Sequence, residues 1–120
     1  MKRYLVEFGM GTDFDGQDCA KAAVKAVKDA ISRSCLCGLT EVLGLEDLDE
    51  AVKIQVTVAV SRPEQVKAAE IAGCLPIGQV EVKAVTGGLQ VHGLYIPRFG
   101  DQDDSIEVAI AAVEVGILEP

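Results

Sequence analysis

Val52-Lys53-Ile54-Gln55-Val56-Thr57-Val58-Ala59-Val60 alternates without a break over nine residues. Successive side chains of an extended chain point to opposite faces, so Val52, Ile54, Val56, Val58 and Val60 fall on one side and Lys53, Gln55, Thr57 and Ala59 on the other. The stretch predicts a half-buried β-strand, and its neighbours decide what kind of sheet it joins. After it, Ser61-Arg62-Pro63-Glu64 reads as a capping box with Pro63 in the first turn, predicting a helix that runs to Ala72 and stops at Gly73. Before it, Arg3 to Phe8 also alternates, with Tyr4, Val6 and Phe8 on one face and Arg3, Leu5 and Glu7 on the other. Gly9 to Gly16 breaks that pattern. From Gln17 to Arg33, Ala20, Val24, Val27 and Ile31 then recur at helical spacing beside Ala23 and Ala30, with Lys21, Lys25 and Lys28 forming an opposite, solvated stripe.

Downstream, Gln79 to Val85 and Leu89 to Ile96 flank Thr86-Gly87-Gly88, a hairpin signal. Ser105 to Leu118 predicts a last strand, apolar on both faces and therefore central or covered by a second layer. The order is β-α-β-α-β-β-β. It predicts an α+β two-layer sandwich: a mixed sheet of about five strands with two main helices on one face. The uncovered face of such a sheet calls for another subunit, so a homo-oligomer is expected.

A chain of 120 residues without an internal repeat or linker fits a single domain, 1–120. The composition is 49% hydrophobic but only 4% aromatic, so the core must be built from Ala, Val, Ile and Leu. The net charge of -8 is spread along the chain, with 7 basic and 10 acidic residues in 1–60 and 4 and 9 in 61–120. No basic cluster exists to attract nucleic acid or anionic lipid, and neither partner is expected. No apolar stretch approaches the ~18 residues of a membrane span, and Glu7 interrupts the run after Met1-Lys2-Arg3 that would otherwise resemble a signal peptide. A cytoplasmic protein is expected. Cys19, Cys35, Cys37 and Cys74 suit reduced, structural thiols, because the C-x-C spacing of Cys35 and Cys37 fits neither a redox loop nor a zinc pair.

The candidate chemistry lies in Gly9-Met10-Gly11-Thr12-Asp13-Phe14-Asp15-Gly16-Gln17-Asp18. Glycines there allow close approach of a ligand, and the segment leads into a helix N-terminus. Phe14 stands where a dinucleotide fingerprint needs Gly, no Walker lysine follows, and Asp13-Phe14-Asp15-Gly16 is too short for a calcium loop of the EF-hand kind. Asp13, Asp15 and Asp18 would repel a phosphate and favour a divalent cation or a hydroxyl-bearing molecule; helix capping is the plainer alternative. One functional reading is a polar small-molecule site at Gly9, Gly11, Asp13, Asp15 and Gly16, with a cation held by Asp13, Asp15 and Asp18. The other is a small hydrolase or isomerase with Asp13 as general base and His92, Arg62 or Arg98 completing the site from a neighbouring subunit. His92, the lone histidine, also suits a surface or interface position. The sequence names no substrate.

Gly9 to Gly16 resembles the G-x-G-x-D-x-H-G motif of a family of conserved hypothetical proteins of bacteria and plants. The resemblance extends over nearly the whole chain, including V-E-F-G, G-Q-D, R-P-E and G-G-L. It implies that Gly9, Gly11, Asp13 and Gly16 are signature positions and that Asp13 is the leading functional residue. This chain has Asp15 where the motif has His. Were that His a metal ligand, Asp would prefer a harder cation; were it a base, Asp would change the working pH.

Overall fold

A 13-residue strand, β5 (Ser105–Ile117), forms the centre of a five-stranded sheet in the computed structural model, which describes residues 1–14, 18–99, 101 and 103–118. In chain order the elements are β1 (Lys2–Asp13), α1 (Cys19–Ile31), two single-turn helices α2 (Gly38–Glu41) and α3 (Leu48–Ala51), β2 (Val52–Val60), α4 (Ala68–Ala72), β3 (Gln79–Thr86), β4 (Leu89–His92) and β5. The fold is α+β with a mixed sheet, in the predicted order. Strand β5 runs antiparallel to β1 on one side and to β2 on the other, and β3 joins the outer edge of β2 in parallel. Alternation in β2 resolves as read: Val52, Ile54, Val56, Val58 and Val60 are buried, together with Val113 and Val115 of β5, Leu39 of α2 and Ile71 of α4.

The N-terminal strand differs from its reading. It continues through Gly9 and Gly11 to Asp13, and its inner face carries Leu5, Glu7, Gly9, Gly11 and Asp13, while Val6, Phe8 and Met10 point away from α1 and Tyr4, at an irregularity in the pairing with β5, lays its hydroxyl end against Gly38 of α2. Helix packing explains the inversion. A Cβ at Gly9 would lie within 3.0 Å of the Ala26 carbonyl and the Ala30 nitrogen, and one at Gly11 within 3.0 Å of the Ala22 carbonyl and the Ala26 nitrogen. Ala22, Ala26 and Ala30 recur one turn apart, so α1 seats its backbone on the glycines, and β5 opposes these with Ala111 and Ala109. Small residues make the inside here, so alternation of bulky side chains found the period but not the side.

The helix also occupies the free edge of β1. Lys25 Nζ donates to the Thr12 carbonyl at 2.9 Å, Met10 N donates to Asp29 Oδ2 at 2.9 Å, and the Arg33 guanidinium donates to the Phe8 carbonyl at 3.3 Å. Lys25, Asp29 and Arg33 are four residues apart and form one stripe, so Lys25 is more than a solvated charge. The Met10 N–H, followed by the Arg33 hydrogen bond, holds the Asp29 carboxyl below its usual 3.8. A carboxyl lowered on folding stabilises the fold above its unfolded pKa, and that stabilisation is lost as pH falls through the folded value. Asp29→Asn should therefore be less stable than the wild type at neutral pH. The gap in denaturation midpoint should shrink from about pH 4 downward; a gap unchanged into strong acid would contradict the assignment.

Two turn readings change as well. No capping box forms at Ser61: Pro63–Gln65 is a single 3₁₀ turn, Val66 is extended, and α4 starts only at Ala68. Ser61 instead donates to the buried carboxylate of Glu107. Nor do β3 and β4 form a hairpin. Gly87 N donates to the Val60 carbonyl, and the chain steps across the end of β2 with Gly88 at φ 74°, where a Cβ would meet the Val108 carbonyl. Strand β4 then continues the lane of β2, pairing antiparallel with residues 105–108 of β5 just beyond the stretch that β2 covers.

Candidate functional site

The end of the sheet next to the N-terminus of α1 carries a row of polar residues on the helix-facing side. In β5 the inward positions are Glu107, Ala109, Ala111, Val113 and Val115, so one acid interrupts an aliphatic series. Glu107 is 0% exposed. Asp13 of β1 lies directly opposite it on one side and Gln90 of β4 on the other. A buried carboxylate is tolerated only with its oxygens satisfied, and these are. Ser61 N donates to Oε1 at 2.8 Å, Ser61 Oγ donates to Oε2 at 2.8 Å, and Gln90 Nε2 donates to Oε2 at 3.1 Å. Gln90 Nε2 also lies 3.1 Å from Ser61 Oγ, and Cys19 Sγ lies 3.6 Å from the same hydroxyl. Cys19 N donates to Gln65 Oε1, which ties the first residue of α1 to the turn after β2.

The predicted acids divide. Asp18 is the N-cap of α1, its Oδ1 accepting from Ala20 N at 2.8 Å and Lys21 N at 3.4 Å. Asp13 is 5% exposed and its Oδ2 accepts from Asp18 N at 2.7 Å, closing the connection into the helix. Both carboxylates thus take the capping role that the sequence offered as an alternative. Gly9 and Gly11 use their bare Cα atoms against α1, so the close approach they permit is that of a helix. Asp15 and Gly16 lie outside the described residues. Among the described residues no group of three or more His, Cys, Asp and Glu is placed to hold a metal ion.

His92 shares the face of Gln90 two residues on, but its ring is largely exposed and its Nδ1 lies 3.0 Å from Asp104 Oδ2. It is not brought to Asp13. Nearby, the hydroxyl and backbone N–H of Ser105 hold the Asp103 carboxyl below its usual range, with smaller contributions from the charges of Arg62 and His92. Those two predicted residues therefore border one carboxylate at the rim of the cluster. Arg98 instead stacks over the Phe99 ring at 5.1 Å.

Sequence reasoning missed Glu107, Gln90 and Gln65, and took Ser61 for a helix cap. The signal for Glu107 was present: a charge at a position whose parity, two residues from Ala109 and four from Ala111, puts it inside.

Fold and site together define a small α+β protein with a mixed sheet and a polar cluster where β1, β2, β4 and β5 meet the N-terminus of α1. The chain belongs to the conserved hypothetical protein family Lin0512_fam, whose family model matches residues 3–115. It is similar to a crystal structure of an FtsZ-like protein of unknown function from Nostoc punctiforme, at 42% identity and a TM-score of 0.87, covering 99% of this chain and 97% of that one. No functionally curated protein matches it. Among the described residues no helix is long and apolar enough to cross a membrane.

Proposed function

We propose that this protein is a cytoplasmic homo-oligomer that binds a polar small molecule at the end of the sheet where Asp13, Ser61 and Glu107 gather. The observation that carries the reading is the face of the sheet opposite α1. Phe8 (65% exposed), Met10 (60%) and Ile110 (49%) lie side by side on β1 and β5, and Val6, Leu89 and Val91 extend the same apolar surface. Monomeric proteins rarely leave a contiguous apolar area of this kind in water. The Cα radius of gyration, 16.1 Å, also exceeds the ~13.6 Å of a self-contained chain of this length. A second copy is the natural cover, because four of the charges on this face pair within the chain, Arg3 with Glu114 and Lys53 with Glu81, which leaves less for a highly charged foreign partner to complement.

For the polar site, the support is an acid, Glu107, on the inner face of β5 that is otherwise aliphatic from Ala109 to Val115, beside Asp13 and at the carboxyl ends of β1 and β2. The four free cysteines agree with a reducing compartment. The expected result is a particle heavier than 12.7 kDa by light scattering at micromolar concentration, reduced to a monomer by Ile110→Glu. A panel of sugars, amino acids and nucleotides should shift the melting temperature of the wild type but not of Asp13→Asn. A wild-type monomer would remove the assembly, and shifts equal in both proteins would remove the site.

The enzymatic reading, a small hydrolase or isomerase, keeps one observation: the Ser61 hydroxyl donates to a carboxylate oxygen at 2.8 Å. In that geometry the acceptor for a hydroxyl proton is Glu107, while Asp13 is committed to Asp18 N. Covalent labelling of Ser61 by an organophosphorus reagent would favour this reading over simple binding.

A further inference from the structure

At the opposite end of α1, on the helix-covered side of the sheet, the structure contains a cavity of about 380 Å³. Its floor is Ile54, Val113 and Val115, and its walls come from Ile31 at the end of α1 and from Leu75 and Ile77 in the loop before β3. This volume and aliphatic lining are those of a small-molecule site, where burial of a hydrocarbon body supplies affinity and a few polar groups set orientation.

The polar groups here are of one kind. Among the described residues Glu7 is the single charged one lining the cavity, and the other polar ones, Ser34, Thr40, Cys35 and Cys37, are neutral hydroxyls and thiols. Glu7 projects from the inner face of β1, opposite Val113, with an aliphatic floor beside it. Ser34 Oγ donates to Glu7 Oε2, which fixes how the carboxylate faces the cavity. An acceptor-only group in an apolar chamber selects a ligand with a donor, and a charged donor most strongly. The net charge of -8 adds to this by attracting cations and repelling anions.

We propose that this cavity binds a small amphipathic amine, with its hydrocarbon body on Ile54, Val113 and Val115 and its ammonium group on Glu7. The site is separate from the polar cluster at the other end of α1 and does not rest on the function proposed above. Cys35 and Cys37 stand in its wall and are exposed, so occupancy can be read at their thiols.

The experiment uses the intact chain and three probes that share a tail and differ in the head: octylamine, octanol and octanoate, each below its aggregation threshold. Octylamine is expected to slow modification of Cys35 and Cys37 by a thiol reagent, mapped by mass spectrometry, at a concentration about tenfold lower than octanol needs. Octanoate is expected to protect least. Glu7→Gln should bring octylamine to the level of octanol, and Ile77→Trp, which fills the chamber from its loop side, should weaken both. The circular dichroism spectrum of each variant separates loss of binding from loss of fold. Equal protection by octylamine and octanoate, or an amine preference that survives in folded Glu7→Gln, would overturn the proposal. So would an absence of protection by millimolar octylamine in the wild type.

Discussion

Gly11→Val should lower the melting temperature by about 15 °C, because the new side chain meets helix backbone and not a movable side chain. The nearest atoms to a Cβ at that position are the Ala22 carbonyl oxygen and the Ala26 nitrogen, both in α1. Neither can step aside without lifting the helix from the sheet. Overpacking in a close-packed core costs roughly 1–3 kcal/mol, and more when backbone must move, so about 4 kcal/mol is expected. At about 4 °C per kcal/mol for a domain of this size, that gives the stated shift. Gly9→Val should behave alike, since Ala26 and Ala30 confine it in the same way. Gly73→Ala is the control: its Cβ would make contacts no closer than 3.4 Å, and its φ of -63° is ordinary for Ala. A thermal melt in which Gly11→Val and Gly73→Ala coincide would refute the close seating of α1.

Glu107→Ala is expected to cost about 3 kcal/mol, or roughly 12 °C. The Ser61 N–H, the Ser61 hydroxyl and the Gln90 amide all donate to this carboxylate, and removing it leaves a half-buried backbone donor without its acceptor at the end of β2. Ser61→Ala should cost less, about 1 kcal/mol, because Gln90 and the backbone N–H of residue 61 still serve Glu107. Adding the two changes should not sum. Residues sharing a buried network commonly couple by about 0.5–3 kcal/mol, so the double variant should be little worse than Glu107→Ala alone. Chemical denaturation of the four proteins measures this cycle. Simple additivity would mean that Ser61 and Glu107 do not act as a unit, and the polar cluster would lose its centre.

Much of the fold was legible because it depends on period. The strict alternation of β2, the helical recurrence in α1 and the doubly apolar run of β5 each follow from local geometry and appear as read. What failed depends on partners distant in sequence. Gly9 and Gly11 look like a loop until Ala22, Ala26 and Ala30 are known to need the space. Ser61 looks like a helix cap until Glu107, 46 residues away, is found bound to it. Gly87-Gly88 looks like a hairpin turn, yet the edge of β2 already takes β3 in parallel, so the chain must cross over its end. Of the candidate site, the sequence marked only the segment that borders the polar cluster. The loop into α1 does lead to it, but Asp13 and Asp18 are committed to backbone N–H groups there, and the most buried acid comes from the last strand.

The contacts of Lys25, Asp29 and Arg33 with the backbone of β1 bear on how copies of this protein can grow together. A bare edge strand is a template for endless sideways addition of strands, the route to filaments. Here an incoming strand would have to displace three side chains already bonded to the groups it needs between Phe8 and Thr12. The β1 edge is thereby closed to sideways addition, and the homo-oligomer proposed above would form on the broad side of the sheet, where isologous contacts close on themselves and give a particle of finite size. Protonation of Asp29 in acid weakens one of these three contacts, so the conditions that loosen the fold also loosen the guard on this edge.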